Sequence, residues 1–296
     1  KPYNDETLKQ NINDIDICVT HWGAPLFTED VLKCANRLKM IAHAAGSAGY
    51  IATDAVYERE ITVCTSNDVM ARHVAEGVLA YTLSVLRLIP IHDAGMKMGL
   101  EWDRKFYDTK SLIGAQIGLV GLGMVGRHLL NLLKPFGVSV KLYDPYVSQQ
   151  DIGAYDNVQL SALDEVLSFG DIISVHAAQT PETIHLLDTD KLALIRDRSL
   201  LVNTARGKII DQQALTDELK SGRISAVLDV YDREPLPVES GLRKLDNVIL
   251  IPHMAGSTAK EHMSVAMIEE IRRFINHEPL KYEISYDTFK RMTRKI

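Results

Sequence analysis

The chain has 296 residues, with 33 Lys and Arg against 39 Asp and Glu, so its formal net charge at pH 7 is −6. Hydrophobic residues make up 46% of the chain and charged residues 24%, a balance that argues against a disordered or fibrous protein. A mildly acidic chain also lacks the basic surface of a general nucleic-acid binder. The length fits one large α/β domain or two domains on one chain.

The three cysteines, Cys18, Cys34 and Cys64, are far apart and form no C-x-x-C motif. We therefore expect neither a disulfide framework nor a metal site. No apolar stretch reaches the roughly 20 residues that a membrane-spanning helix needs, and no signal peptide opens the chain. These features predict a cytoplasmic protein, in a reducing compartment and away from the membrane.

Strand and helix patterns alternate from the start of the chain. Apolar runs at residues 15–19 and 38–42 predict strands, and Thr28 is suited to cap a helix between them. A long amphipathic helix is predicted at residues 69–88, and another helix at residues 259–276. We expect the first of these helices to carry the chain from one domain to the next.

The middle of the chain repeats a strand-and-helix pattern. Asp211 and Gly222 are suited to cap the two ends of one helix, and Ser161, three residues before Asp164, predicts a weak capping box at the start of another. The apolar runs between the helices predict parallel strands that are covered on both faces, and hence a doubly wound α/β sheet. These runs lie at residues 117–120, 138–143, 172–175, 200–202, 226–228 and 248–251.

A glycine-rich turn, Gly121-Leu122-Gly123-Met124-Val125-Gly126, follows the first of these strands. Gly121 would permit the tight turn, Gly123 the close approach of a pyrophosphate, and Gly126 close packing of helix on strand. The next strand ends at Asp144, 23 positions after Gly121, where a carboxylate can accept hydrogen bonds from ribose hydroxyls and repel a 2′-phosphate. The pattern predicts a dinucleotide site that prefers NAD to NADP.

Three polar residues each follow the end of a predicted strand: Arg206, Glu234 and His253. The carboxyl ends of parallel strands line the ligand crevice of a doubly wound sheet. Each of these residues alone is more often a surface or structural residue. Together, a cation, a carboxylate and an imidazole could clamp an anion, orient the imidazole and donate a proton beside a nicotinamide.

With these motifs the chain resembles the D-2-hydroxyacid dehydrogenase family over residues 15–279. The resemblance implies a Rossmann cofactor domain at residues 71–257, inserted into a smaller flavodoxin-like substrate domain of residues 1–70 and 258–296 that lacks its first strand and helix. It also implies a homodimer formed through the cofactor domain. The most specific stretches are residues 118–126, 171–211, 228–236 and 252–257.

The family mechanism implies reversible hydride transfer between NADH and C2 of a small 2-oxo acid or D-2-hydroxy acid. His253 would be the acid/base group, and Glu234 would favour its imidazolium form through a hydrogen bond. Arg206 would hold the carboxylate and carbonyl oxygens of the substrate and would also lie at the cofactor. The glycine motif and nearby loops would supply the other cofactor contacts: Met124, Val125, Thr204, Ala205, Asp229, His253 and Gly256.

Some assignments stay open at this point. His176 ends a strand in the crevice, where it would contact the cofactor or pack as a structural histidine. Arg72 and His73 could reach the substrate or be solvated helix charges, and Trp102 could cover the pocket or pack.

The substrate loop departs from the family pattern. By position, Gly46 and Ser47 would supply backbone N–H groups to the substrate carboxylate. The Arg that many family members carry in this loop is His43 here, which weakens the case for a phosphorylated substrate.

Two other functions stay open beside the dehydrogenase. One is a non-catalytic NAD(H)-sensing protein, since some relatives serve as transcriptional co-repressors. The other is a reductase of a substrate that is not an acid, which would make Arg206 dispensable.

Overall fold

The computed structural model describes residues 4–99 and 109–293, and Trp102 lies outside these residues. Contacts divide the chain into two compact units. The small unit comprises Lys1–His73, Ala178–Pro181 and Gly256–Ile296. The large unit comprises Val74–Ala177 and Glu182–Ala255.

Helices and strands alternate along most of the chain, in the order that the apolar runs predict. The elements are α1 (Asp5–Asn11), β1 (Ile17–Thr20), α2 (Glu29–Leu32), β2 (Met40–His43), α3 (Asp54–Glu58), β3 (Thr62–Thr65), α4 (Asn67–Leu86), α5 (Ile89–Lys97), β4 (Gln116–Val120), α6 (Met124–Leu133), β5 (Ser139–Tyr143), β6 (Val158–Leu160), α7 (Leu163–Phe169), β7 (Ile172–Val175), α8 (Thr189–Ala193), β8 (Leu200–Asn203), α9 (Gln212–Lys220), β9 (Ser225–Leu228), β10 (Val248–Leu250), α10 (Lys260–Ile275) and α11 (Tyr286–Lys290).

The large unit contains a sheet of seven parallel strands in the order β6-β5-β4-β7-β8-β9-β10. Counted along the chain, that order is 3-2-1-4-5-6 with a seventh strand added, which is the dinucleotide-binding arrangement. The predicted doubly wound α/β fold is confirmed. Reading the apolar runs missed β6, a three-residue edge strand.

Central strands of this sheet are buried on both faces, because helices cover both sides. Every residue of β7 and β8 is buried, as expected for parallel strands. Val120, Val175, Leu201 and Leu228 join one apolar core with residues of the flanking helices. Burial of this apolar surface holds the carboxyl ends of the strands, and the loops that follow them, in fixed positions.

The small unit contains three parallel strands in the order β1-β2-β3. In the flavodoxin-like order 2-1-3-4-5 the last three strands are likewise neighbours in chain order. Phe27, Ile41, Ile51 and Phe289 are fully buried members of its core. The sequence reasoning missed β3, which follows directly on a turn at Glu60.

Two of the three predicted helix N-caps are confirmed. The Asp211 carboxylate accepts the N–H groups of Gln213 (2.9 Å) and Ala214 (3.0 Å), and the Thr28 hydroxyl accepts that of Val31 (3.3 Å). The capping box at Ser161 is wrong.

The structure gives the reason for the Ser161 error. The N–H of Ser161 donates to Leu142 O at 2.9 Å, which keeps this residue in strand pairing. α7 therefore begins one residue later, with Ala162 as its cap.

No single helix of the described residues is both long and apolar enough to cross a membrane. α4 and α5 pass that test only as a pair, and they are bent by 54° at the break between them.

Candidate active site

The glycine-rich turn joins β4 to α6 in the large unit. Gly121 has φ +93°, a backbone conformation that favours glycine, and a Cβ there would lie 2.6 Å from Ala177 N. A Cβ on Gly126 would lie 3.0 Å from Gly121 O, so the turn packs tightly on the helix. Gly123 is the N-cap of α6, and the nearest atom to a Cβ there is His176 O at 3.7 Å.

Asp144 directly follows β5 and faces the glycine-rich turn. Its carboxylate accepts the N–H of Leu122 at 2.8 Å and that of Tyr146 at 2.9 Å. A carboxylate has about four acceptor positions, so it can accept further hydrogen bonds from ribose hydroxyls. Asp144 is half-buried, which leaves one side open to a ligand.

His176 lies beneath the glycine-rich turn, where its backbone N–H donates to Val120 O at 2.7 Å. Its ring is buried, and Nε2 lies 2.7 Å from the Ser174 hydroxyl. Burial lowers the pKa of His176 to about 4, so the ring is neutral near pH 7. These contacts are those of a packed structural histidine, while its backbone supports Gly121.

The loop after β8 carries Arg206 and is closed by Asn203. The Asn203 amide donates to Arg206 O at 3.0 Å and accepts the N–H of Ala205 at 3.1 Å. Arg206 is half-buried, and its Nη1 donates to Ala205 O at 2.6 Å. Sequence reasoning overlooked Asn203, although an amide at a strand end is a common turn-former.

Thr204 in the same loop is buried, and its hydroxyl has no hydrogen-bond partner among the described residues. A buried hydroxyl without a partner costs free energy, so it marks a place where a ligand could supply the missing hydrogen bond.

Gly207 packs this loop against the loop that follows β9. A Cβ on Gly207 would lie 2.0 Å from the carbonyl carbon of Tyr231, a distance that no side chain tolerates. Two backbones therefore touch here. That contact places the loop of Arg206 beside the segment that leads to Glu234, three residues after Tyr231.

Glu234 and His253 form a hydrogen-bonded pair. Nδ1 of His253 lies 2.8 Å from Oε2 of Glu234, and the N–H of Tyr231 donates to the other carboxylate oxygen at 3.1 Å. The His253 side chain is 50% exposed and the Glu234 side chain 38% exposed, so the pair is open to a substrate. Because Nδ1 is engaged, Nε2 is the ring nitrogen that is available for proton transfer.

Asp229 holds the loop that carries His253. Its carboxylate is buried and accepts the N–H groups of Met254 (2.7 Å) and Ala255 (3.1 Å). Burial raises the pKa of Asp229, and these two hydrogen bonds oppose that effect. The carboxylate therefore fixes the backbone immediately after His253, which has φ +54°.

Tyr231 is a second anchor of the same loop, and sequence reasoning missed it. Its hydroxyl lies 2.9 Å from both Leu228 O and Ile251 O, so it joins the end of β9 to the segment before His253. Burial raises the pKa of Tyr231 to about 12. Nothing in the pattern around this tyrosine distinguished it from an ordinary core aromatic residue.

The predicted substrate loop lies in the small unit, after β2. The Ser47 hydroxyl donates to Thr293 O at 2.7 Å and accepts the N–H of Gly49 at 3.1 Å. A Cβ on Gly46 would lie 2.7 Å from Cε of Met70. The loop is thus held by the hydrogen bond within its own turn, by packing on the first turn of α4 and by the hydrogen bond to Thr293 O.

His43 ends β2 and is buried inside the small unit. Its Nδ1 lies 2.8 Å from the Thr20 hydroxyl, and burial, followed by the charge of His21, lowers its pKa to about 4. A neutral, buried imidazole packs within the sheet and does not offer a charge to an anion.

Three further positions lie in the small unit. Arg72 is exposed, and Nδ1 of His73 lies 3.0 Å from the Thr258 hydroxyl. Gly256 caps the short 3-10 helix Ser257–Ala259. Within residues 4–99 and 109–293, no group of three or more His, Cys, Asp or Glu side chains is arranged to hold a metal ion.

Three features of the large unit fit a dinucleotide. The turn before α6 presents the N-terminal end of that helix and its dipole to phosphates, and Gly123 leaves that surface uncovered. Asp144 can accept further hydrogen bonds from a ribose, and the buried Thr204 hydroxyl has no hydrogen-bond partner among the described residues.

Comparison with known proteins agrees with this geometry. Residues 79–255 match the family model "D-isomer specific 2-hydroxyacid dehydrogenase, NAD binding domain". The chain belongs to this family. The predicted family and its NAD-binding fold are therefore confirmed.

Relatives in this family carry several names. The chain is 34% identical to D-3-phosphoglycerate dehydrogenase of Methanocaldococcus jannaschii, over 92% of this chain but only 52% of that protein. It is 32% identical to hydroxypyruvate reductase of Thermotoga maritima, over 90% and 87% of the two chains. The structure of a glyoxylate reductase from Paecilomyes thermophila has a TM-score of 0.79 at 25% identity, over 96% and 89%. This chain thus spans about half the length of the phosphoglycerate dehydrogenases it matches.

Proposed function

We propose that this chain is an NAD-dependent oxidoreductase that interconverts a small 2-oxo acid and the D-2-hydroxy acid. The observation that carries the proposal is the hydrogen bond of 2.8 Å between His253 and Glu234, in a domain that matches the NAD-binding family model. The names of the relatives, which are dehydrogenases and reductases of such acids, support the same reaction class.

His253 is the proposed acid/base group. With Nδ1 bonded to the Glu234 carboxylate, Nε2 carries the proton that the substrate oxygen receives during reduction and takes it back during oxidation. The negative charge of Glu234 favours the imidazolium form. Asp229 and Tyr231 hold the backbone on either side of the imidazole, so the ring keeps one orientation.

Arg206 is the proposed anion clamp. A guanidinium donates two parallel hydrogen bonds to a carboxylate or to adjacent carboxylate and carbonyl oxygens. Orientation of this kind lowers the barrier by holding the reacting carbon near the attack geometry. Gly46 and Ser47 are proposed to bind the substrate carboxylate through backbone N–H groups, which makes the small unit the substrate domain.

The large unit is proposed to hold NAD, which when bound supplies the hydride chemistry at its nicotinamide ring. The turn Gly121–Gly126 would bind the pyrophosphate through its N–H groups. Asp144 would accept the ribose hydroxyls and disfavour NADP. Residues Met124 and Val125 of the turn, with Thr204, Ala205, Asp229 and Gly256, are the remaining proposed cofactor contacts.

A homodimer is part of the proposal. α5 carries large apolar side chains that are exposed in the chain alone, Ile89 at 55% and Met96 at 56%. The two residues are seven positions apart and so lie on one face of the helix, and exposed apolar faces are typical of protein interfaces. We expect light scattering to give twice the chain mass, and Ile89→Glu with Met96→Glu to shift it towards the monomer.

The proposed location is the cytoplasm, since Cys18, Cys34 and Cys64 are all free thiols. The proposed partner is the small-molecule acid, with no role for nucleic acid or a membrane surface.

The test is NADH oxidation at 340 nm with glyoxylate, hydroxypyruvate, pyruvate, phenylpyruvate, 2-oxoisocaproate and 3-phosphohydroxypyruvate, each repeated with NADPH. We expect saturable turnover with NADH that His253→Ala abolishes. Tight NADH binding without turnover of any acid would contradict the proposal and favour an NAD(H)-sensing protein. Undiminished turnover in Arg206→Ala would instead favour a substrate that is not an acid.

A further inference from the structure

The substrate loop of the small unit packs against the start of α4. A Cβ on Gly46 would lie 2.7 Å from Cε of Met70 and 3.6 Å from Oδ1 of Asn67. Ser66, just before this helix, donates its N–H to His43 O at 3.0 Å and its hydroxyl to Met263 O at 2.9 Å. Ser66 therefore joins the end of β2 to the first turn of α10 by hydrogen bonds, and the Gly46 loop packs on the helix that follows Ser66.

His73 lies one turn after Met70 on α4. Residues three apart in a helix share a face, with Cβ atoms about 5–6 Å apart, so His73 is on the face that contacts Gly46. Helical side chains also lean towards the N-terminal turn, which is the turn that touches the loop.

Two residues from the start of α10 meet His73. Its Nδ1 lies 3.0 Å from the Thr258 hydroxyl, and its ring lies 5.1 Å, centroid to centroid, from the ring of His262. His262 is exposed and His73 is half-buried, so both imidazole edges are accessible to a small molecule. We call His73, Thr258 and His262 the histidine cluster.

The histidine cluster suits an anion. Two imidazoles and a hydroxyl can donate hydrogen bonds to the same acceptor. By contrast, His185 and His253 lie 3.9 Å and 2.8 Å from the carboxylates of Asp211 and Glu234. The hydrogen bond to Tyr282 raises the pKa of Lys281, and the charge of Asp68, the acid in the first turn of α4, adds to that effect.

We propose that the histidine cluster binds the distal anionic group of the substrate, a second carboxylate or a phosphate at the end remote from the 2-oxo group. The inference rests on the proposed function, since Gly46 and Ser47 would hold the first carboxylate one helical turn away. One helical turn is about 5.4 Å, a separation that fits an extended acid of about five carbons or a phosphorylated acid of three. Substrate preference then depends on the small unit, whereas the proton transfer depends on His253.

The test compares pairs of acids that differ in the distal charge: 2-oxoglutarate with 2-oxohexanoate, and 3-phosphohydroxypyruvate with hydroxypyruvate. The variants are His73→Ala, His262→Ala and the double variant, because alanine preserves both helices. His277→Asn is the matched control. It removes an imidazole at the far end of α10, and asparagine tolerates the positive φ of that position.

For the acids with a distal charge, we expect kcat/KM of the double variant to fall at least tenfold, mostly through KM. For the acids without a distal charge, we expect a fall of less than twofold. The pair that responds identifies the distal group as carboxylate or phosphate. An equal fall for the acids with and without a distal charge, or no fall, would overturn the inference.

Failure of the proposed function has a different signature, which is no turnover of any acid by the wild-type protein. In that event, calorimetric titration of wild type and double variant with 2-oxoglutarate and 3-phosphohydroxypyruvate decides the inference by itself. Binding that is weakened at least tenfold in the double variant and unchanged in His277→Asn supports the cluster. Equal binding, or none to either protein, overturns it.

Discussion

Two regions are proposed to bind small molecules, the loops after β8, β9 and β10 in the large unit and the loop after β2 in the small unit, and they are held in different ways. In the large unit the supporting bonds join residues that range from 3 positions apart, such as the Asn203 amide and Arg206 O, to 26 apart, such as the Ala255 N–H and Asp229. In the small unit they join distant parts of the chain, since Ser47 and Thr293 are 246 residues apart. Local bonds leave a motif in the sequence, and distant ones do not.

This difference separates two tasks. In the proposed function, the large unit would carry the groups whose chemistry is independent of substrate size, namely the cation, the acid/base pair and the dinucleotide turn. The small unit would carry the backbone donors and the histidine cluster, which would respond to the length and charge of the acid. We therefore expect variants of the first region to affect every substrate and variants of the second to affect some.

The largest effect is expected from His253→Ala in the large unit. Loss of a positioned general acid typically reduces the rate about 10²–10⁴-fold. We expect the rate to fall by the same factor for every 2-oxo acid. Affinity for NADH, measured by fluorescence titration, should change little. His277→Asn is the control, and a fall confined to a few acids would place His253 among the specificity residues.

A destabilisation of about 3 kcal/mol or more is expected from Gly207→Ala, because the new Cβ would lie 2.0 Å from backbone atoms of Tyr231. Backbone is harder to displace than a flexible side chain. Urea unfolding measures the change. The control is Gly153→Ala, where the nearest atom is 3.4 Å away, and equal stability of the two variants would show that the loops separate freely.

Acid should destabilise both units through one buried histidine each. His43 and His176 have pKa values lowered to about 4, against about 6.5 in the unfolded chain. The unfolded chain therefore binds more protons between these values, and stability falls as the pH drops from about 6.5 to 4. Each histidine contributes a loss of about 3 kcal/mol across that window.

Urea unfolding at a series of pH values checks this expectation. His43→Gln and His176→Gln should each make the free energy of unfolding less dependent on pH in that window. The exposed His21 provides the control, as His21→Gln should leave most of the dependence in place. A wild-type stability that is flat from pH 7 to 4 would contradict the buried, neutral state of both rings.

The smallest effect is expected from Asp144→Ala at the dinucleotide turn. Loss of hydrogen bonds to a charged acceptor costs about 1.5–3 kcal/mol, so KM for NADH should rise at least about tenfold. The preference for NADH over NADPH should narrow. Asp151→Ala removes an exposed carboxylate nearby and should change neither quantity. Unaltered cofactor preference in Asp144→Ala would remove this residue from the ribose site.

Sequence reasoning succeeded where one short segment determines the structure. The apolar runs located six strands of the large sheet, and the glycine-rich turn lies between β4 and α6 as predicted. Asp211 caps α9 with bonds to residues two and three positions away. The hydrogen bond between Glu234 and His253 is the one that the family resemblance implied, and their places after predicted strands put both residues in one crevice.

It failed where the outcome depends on packing. β6 is short and lies at an edge of the sheet, so few apolar residues mark it. Ser161 remains in strand pairing and does not cap α7, because a bond to Leu142 competes with the cap. The meeting of His73 with Thr258, 185 residues away, has no local signal at all.

The acid/base pair is the centre of this account, and the pH dependence of Glu234→Gln tests it most directly. The measurement is kcat/KM for reduction of the best 2-oxo acid from pH 5 to 10, in wild type and variant. Glutamine keeps a hydrogen-bond acceptor beside Nδ1 but removes the charge that favours the imidazolium. We expect the alkaline limb of the profile to move to lower pH. An unmoved limb with activity retained would contradict the account and leave His253 without its partner.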